Sequence, residues 1–208
     1  MVIMLIDVFL DIFKNIWPMV FIFTIIIVSI RIVYLISNKK KIIFYKELLM
    51  LFFIIYILLL YYIVTFQDNN YGTNNLVPFK EIFRYSITSK LFIKNVIGNV
   101  LLFVPLGIFC AYYINNKKVY IIIFLSILIS SSIEFAQYKI GRTLDIDDVI
   151  LNTIGAVLGF FLYKLWHNIT LKIPNLLKSQ ILLDFLSLMF IFAIIYLSFK
   201  FNFWRFLS

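Results

Sequence analysis

The chain has 208 residues, 63% of them hydrophobic and 14% charged, with a mean hydropathy of +1.03. A soluble domain of that length has too little interior to hide so much apolar surface, so composition excludes one and leaves an integral membrane protein. The net charge of +9 does not redirect the reading to nucleic acid, because Lys and Arg sit in short loops between apolar runs, where they face cytoplasm or lipid headgroups.

The apolar runs do not alternate polar with apolar residues as barrel strands do, so the expected fold is all-α: a bundle of about six transmembrane helices, with five as the alternative count, plus short interfacial helices. In chain order, Met1 to Asn15 spaces Asp7, Asp11 and Lys14 among Leu, Ile and Phe at three- and four-residue intervals, which predicts an amphipathic helix lying at an interface. The arm has no basic n-region and no small-residue cleavage site, so a cleaved signal peptide is not expected. Six spans follow, at about Ile16–Ile36, Leu48–Phe66, Val96–Ile114, Val119–Tyr138, Asp148–Trp166 and Ile181–Phe199. Arg31, near the end of the first, is expected to snorkel to the surface. The organisation expected is an N-terminal arm and first span at 1–47, a membrane core at 48–166 and a C-terminal span and tail at 167–208.

Lys39, Lys40, Lys41 and Lys46 follow the first span, which predicts that this loop is cytoplasmic and the N-terminus outside. Lys117 and Lys118 then fall inside. The 67–94 segment and the acidic 139–148 loop fall outside. The 67–94 segment opens on a turn-forming run of Asn, Asp and Gly and continues as an apolar-basic stretch, Phe79 to Phe92, read as an interfacial helix, with Phe79 as a plug for the bundle mouth.

The polar residues within spans are few. The apolar run Val119 to Ile133 rises only about 22 Å as a helix, short of the roughly 30 Å hydrocarbon core, so Glu134 and Gln137 lie at membrane depth. Asn95 and Asn99 open the third span one turn apart, and Asn152 begins the fifth. Because the chain reverses at each span, Asn99, Glu134 and Asn152 share a membrane surface whichever way the protein inserts. The loop adds Arg142, Asp145, Asp147 and Asp148. Asp145 is placed as an N-cap, Asp147 reads as a solvated loop charge, and Asp148 heads a stripe with Asn152, Gly155, Ala156 and Gly159 that faces protein. Glu134 stands out, since an ionisable group within a span is costly unless paired or hydrated, and Arg142 is its expected partner. Pro105 and Gly107 suggest a kink in the third span. Cys110 reads as a small buried hydrophobe, and His167, beside Trp166, as an interfacial residue.

In order along the chain stand N75-L-V-P-F79, N95-V-I-G-N99, F103-V-P-L-G107, E134-F-A-Q137, R142, D145, D148 and N152-T-I-G155-A-V-L-G159. This arrangement resembles the VanZ-like family of bacterial membrane proteins over about residues 50 to 166. The resemblance implies a multi-pass protein of the cell membrane, with teicoplanin resistance as the named activity of the founding member. It points to Asn99, Glu134, Gln137, Arg142, Asp145, Asp148 and Asn152 as the family-type positions, the residues that the shared depth had already gathered.

Two functions compete. One is an envelope accessory protein whose outer-leaflet polar pocket, built from those seven residues, binds a lipid headgroup or cell-wall precursor and so changes access of a lipoglycopeptide to the cell surface. The other is an intramembrane enzyme acting on such a headgroup, with Glu134, Arg142 and Asp148 as catalytic candidates and Arg142 holding a phosphate. No His, Ser or Cys nucleophile accompanies the carboxylates, so the enzyme needs water activation or a metal held by Asp145, Asp148 and Glu134. The first reading is preferred, with no cofactor and no resident metal expected and membrane lipids as partners. A transporter would carry ionisable residues near the midplane, and none is seen there.

Overall fold

The computed structural model describes residues 2–66, 74–86, 89–114, 118–174 and 178–200, with side chains throughout except at 2–15, 64–66, 81 and 197–200. The turn-forming run at 67–73 and Lys117 lie outside the described residues. Every named element is helical. Five helices are long and apolar enough to cross a membrane among the described residues: Ile16–Ser37, Phe44–Ile63, Lys90–Ile114, Val119–Lys139 and Ile146–Lys172, with a shorter apolar helix at Gln180–Tyr196. The all-helical membrane class expected from composition is therefore the one observed.

The chain divides into two compact units, 1–63 with 173–208 and 64–172. In the first, α1 runs Val2–Ser37 without interruption, so the break expected near Asn15 between an interfacial helix and a span is absent from the backbone. The faces of Asp7, Asp11 and Lys14 lie outside the described side chains. The helix ends where Lys39 turns left-handed (φ 50°) and the Lys40 N–H closes onto the Leu35 carbonyl at 3.0 Å, a 6→1 bond that satisfies an end carbonyl.

Beyond that turn, α2 (Phe44–Phe66) brings Glu47 against Arg31, whose Nε and Nη2 donate to the two carboxylate oxygens at 2.7 and 3.1 Å. Arg31 is thus held in a bidentate pair between helices instead of snorkelling free, because Glu47 lies within reach of the planar fork. The helix Gln180–Lys200, α8, sets Asp184 at the start of α2, accepting from the Tyr45 N–H at 2.8 Å. This bond puts the N-terminal ends of α2 and α8 together, and Phe52 meets Phe190 edge-on further along.

The second unit holds α3 (Lys80–Arg84), α4 (Lys90–Phe92), α5 (Gly98–Ile114), α6 (Val119–Lys139) and α7 (Ile146–Lys172). The interfacial helix expected from Phe79 to Phe92 is instead two short pieces, and Ser89 starts the second by accepting from the Phe92 N–H at 3.0 Å. Between α4 and α5 the chain makes a π-helical turn, Ile93–Ile97, closed by the Gly98 N–H on the Ile93 carbonyl. That wider turn breaks the simple one-turn relation of Asn95 to Asn99. Asn95 donates to the Tyr85 hydroxyl at 3.1 Å, away from the partner of Asn99.

Helix α7 is central, packed on α5 and, less extensively, on α6. A Cβ at Gly155 would fall on the Val100 carbonyl oxygen, one at Gly159 on that of Val104, and one at Gly107 on that of Ala156, each far inside the 3.0 Å that real Cβ atoms keep. The order of these contacts makes α5 and α7 parallel, with backbones nearly touching. Gly107 therefore serves this approach, whatever bend Pro105 adds. Outward, Leu101, Phe124, Phe135, Leu158 and Phe161 are exposed, and inward, Ser126, Ser130, Glu134 and Asn152 are buried. This inside-out distribution is stable only where lipid surrounds the bundle.

Candidate functional site

The site starts at the turn after α6. Gly141 takes a φ of 89°, a left-handed conformation that costs glycine little, and the Arg142 N–H reaches back to the Gln137 carbonyl at 3.0 Å. The chain is thereby folded over the end of α6, bringing residues 144–148 across Glu134. Asp145 acts as the N-cap of α7, its Oδ1 accepting from the Asp147 N–H at 2.9 Å. Its own N–H donates to Glu134 Oε2 at 2.9 Å. Glu134, 3% exposed, thus takes a hydrogen bond from a peptide amide, while its expected partner Arg142, half-buried on the turn beside it, acts on it electrostatically.

A second segment is strapped onto the same helix start. Asn75 and Asp145 form a parallel bridge: the Asn75 N–H donates to the Leu144 carbonyl at 2.8 Å, and the Ile146 N–H donates to the Asn75 carbonyl at 3.0 Å. The Asn75 side-chain amide also donates to Asp145 Oδ1 at 2.8 Å, and Asn74 accepts from the Leu144 N–H at 3.0 Å. Asp147 extends the strap. It is 1% exposed, and its carboxylate accepts from the Phe79 N–H at 2.5 Å and the Ile82 N–H at 3.2 Å. The expectation that Asp147 is a solvated charge is wrong, because the 74–84 segment folds over it and uses it to hold the start of α3. Phe79, expected as a plug, is 49% exposed with φ 67°: its amide is tied inward to Asp147, and its ring turns out toward Phe83.

Asp148 and Asn152 look inward from the next turns of α7. Asn99 of α5 donates its side-chain amide to Asp148 Oδ1. One turn deeper, the Asn152 amide donates to Ser130 Oγ of α6 at 2.8 Å, and Asn152 Oδ1 is buried with no hydrogen-bond partner. The three polar positions grouped by depth are therefore joined through α7: Asn99 to Asp148, Glu134 to Asp145, Asn152 to Ser130. Gln137 is buried in the same end, its carbonyl holding the turn.

Sequence reasoning gave Asn75 no role beyond its place in a family-like motif, took Asp147 for a solvated charge and missed Ser130. Asn75 had only its place at the head of N75-L-V-P-F79 to mark it. Ser130 had a better signal, since Ser126, Ser130 and Glu134 recur every four residues and so share one face. Among the described residues no three His, Cys, Asp or Glu side chains converge as a metal site, so Asp145, Asp148 and Glu134 do not form the ligand set that a metal enzyme would require. His167 stacks on Tyr163, an aromatic contact at the far end of α7.

These features define a multi-pass helical membrane protein with a polar, carboxylate-rich end on an otherwise apolar bundle. A model of the VanZ/LLP1 family matches residues 48–167, more than half of the chain, and the chain belongs to that family. No curated protein and no solved structure gives a significant match.

Proposed function

We propose that this protein is an envelope accessory protein of the cell membrane that holds the polar headgroup of a membrane lipid or cell-wall precursor at the outer ends of α5, α6 and α7, with its N-terminus outside. Asn99, Glu134, Gln137, Arg142, Asp145, Asp148 and Asn152 are the residues assigned to that pocket. The observation that carries the reading is Glu134: a buried carboxylate inside a span, taking its hydrogen bond from a loop amide, is an expensive group for a bundle that needs only packing. By occupying such a headgroup the protein would change how a teicoplanin-type lipoglycopeptide reaches the surface, the link that membership of the VanZ/LLP1 family suggests.

The test is Glu134→Gln, which keeps shape and most hydrogen bonding but removes the charge. Teicoplanin susceptibility of cells expressing the variant is measured alongside its abundance in membranes. Loss of the phenotype at normal abundance is expected, and an unchanged phenotype at normal abundance overturns the reading.

A further inference from the structure

The hydrogen bonds at the polar end are unevenly used. The side-chain amide of Asn99 is committed to Asp148, that of Asn152 to Ser130, and the N–H of Asp145 to Glu134. What remains is acceptor capacity. Asn152 Oδ1 is buried, in a side chain only 4% exposed, and has no partner. Buried polar atoms are nearly always satisfied, and an orphan acceptor in a span costs free energy until a donor reaches it. Asn152 lies one turn deeper than Asp148 on α7, and its partner Ser130 one turn deeper than Glu134 on α6, so the orphan oxygen sits beneath both carboxylates and between the helices that carry them. Arg142 acts electrostatically on both Glu134 and Asp148, but this one cation faces four carboxylates in the same end, those of Glu134, Asp145, Asp147 and Asp148. Two carboxylates above an unfilled acceptor call for a group that brings N–H donors and positive charge together.

We propose that this end of the bundle binds the primary ammonium of a lipid headgroup, with Asn152 Oδ1 as the deep hydrogen-bond acceptor and Glu134 and Asp148 supplying the opposing charge. The inference rests on the headgroup-binding reading above and narrows it from headgroups in general to those ending in a primary amine. A phosphate is the wrong complement, because it is itself an acceptor. A quaternary ammonium carries the charge without the N–H. Asn152 is then the residue that distinguishes one amine headgroup from another.

The experiment uses the full-length protein in detergent, titrated with phosphatidylethanolamine, phosphatidylcholine or phosphatidylglycerol, with lipid retention read by native mass spectrometry and Tm read in parallel. Phosphatidylethanolamine and phosphatidylcholine share a zwitterionic phosphate headgroup and differ in the N–H donors, so the wild type should hold the first about tenfold more tightly, the factor that one charge-assisted hydrogen bond supplies. Asn152→Leu should erase that preference. Asn152→Asp, which keeps an acceptor at the same place, should retain or increase it, and it decides the matter if the leucine variant does not fold. Equal retention of the two zwitterionic lipids, or an undiminished preference in folded Asn152→Leu, overturns the proposal, the latter because a water would then be satisfying Oδ1. Loss of the preference in folded Asn152→Asp also overturns it. Tighter retention of phosphatidylglycerol that Glu134→Gln abolishes overturns the ammonium assignment and leaves the headgroup site standing. Indifference of wild type and Glu134→Gln to all three lipids defeats both readings.

Discussion

Asn99 and Asp148, separated by 49 residues, are joined by a side-chain hydrogen bond that ties the start of α5 to the first turn of α7. The bond sits above the contacts where Gly155 and Gly159 meet the α5 backbone, so it closes the polar end of a helix pair whose lower part is held by close packing. Replacing Asn99 with Leu leaves Asp148 Oδ1 without its donor inside a span and should lower stability by about 1–2 kcal/mol. Adding Asp148→Leu removes the stranded carboxylate and should recover part of that loss. Thermal unfolding of the two single variants and the double variant measures the coupling, and strict additivity would show that the pair contributes nothing jointly.

The glycine contacts are a separate matter, since they concern space rather than polarity. Gly155→Val should destabilise the α5–α7 pair by about 1–3 kcal/mol or prevent assembly, because a side chain there must displace the Val100 carbonyl. Leu158→Val, at an exposed position on the same helix, is the control and should change Tm little. Equal tolerance at both positions would contradict the close approach.

Asp147 links the strap to the helix start through two amide donors. In Asp147→Leu both lose their acceptor, and amide exchange at Phe79 and Ile82 should accelerate by about tenfold or more, while exchange in the middle of α7 stays unchanged. Unaltered protection at Phe79 and Ile82 would mean that the strap is held by the Asn75 bridge alone.

The orientation is tested by labelling. Asp147 is too buried to report it, whereas Lys139 and Lys41 are exposed. With Cys110→Ala as background, Lys139→Cys should react with an impermeant maleimide on intact cells and Lys41→Cys only after permeabilisation. The opposite pattern reverses the orientation.

Leu, Ile and Phe in unbroken runs were enough to read the helical membrane class and the approximate positions of five long apolar helices, the sixth expected span falling on a shorter one, because the free energy of moving a segment into lipid accumulates residue by residue along the chain. The shared depth of Asn99, Glu134 and Asn152 was also legible, since helix rise and chain reversal depend only on counting, and Asp145 declared itself as a cap by its place before the apolar run. The partners were not legible. The Asp145 amide that donates to Glu134, beside the pull of Arg142, had no signal in the sequence, and Asp147 looked solvated until a segment more than sixty residues earlier folded over it. Nothing local distinguishes these outcomes, because they depend on how the Gly141 turn folds back, on the Asn75–Asp145 bridge across 70 residues, and on α5 and α7 approaching until their backbones touch. Depth is a property of one segment and its solvent, whereas a hydrogen-bond partner is chosen by the packing of several, and that choice is made only when the bundle closes.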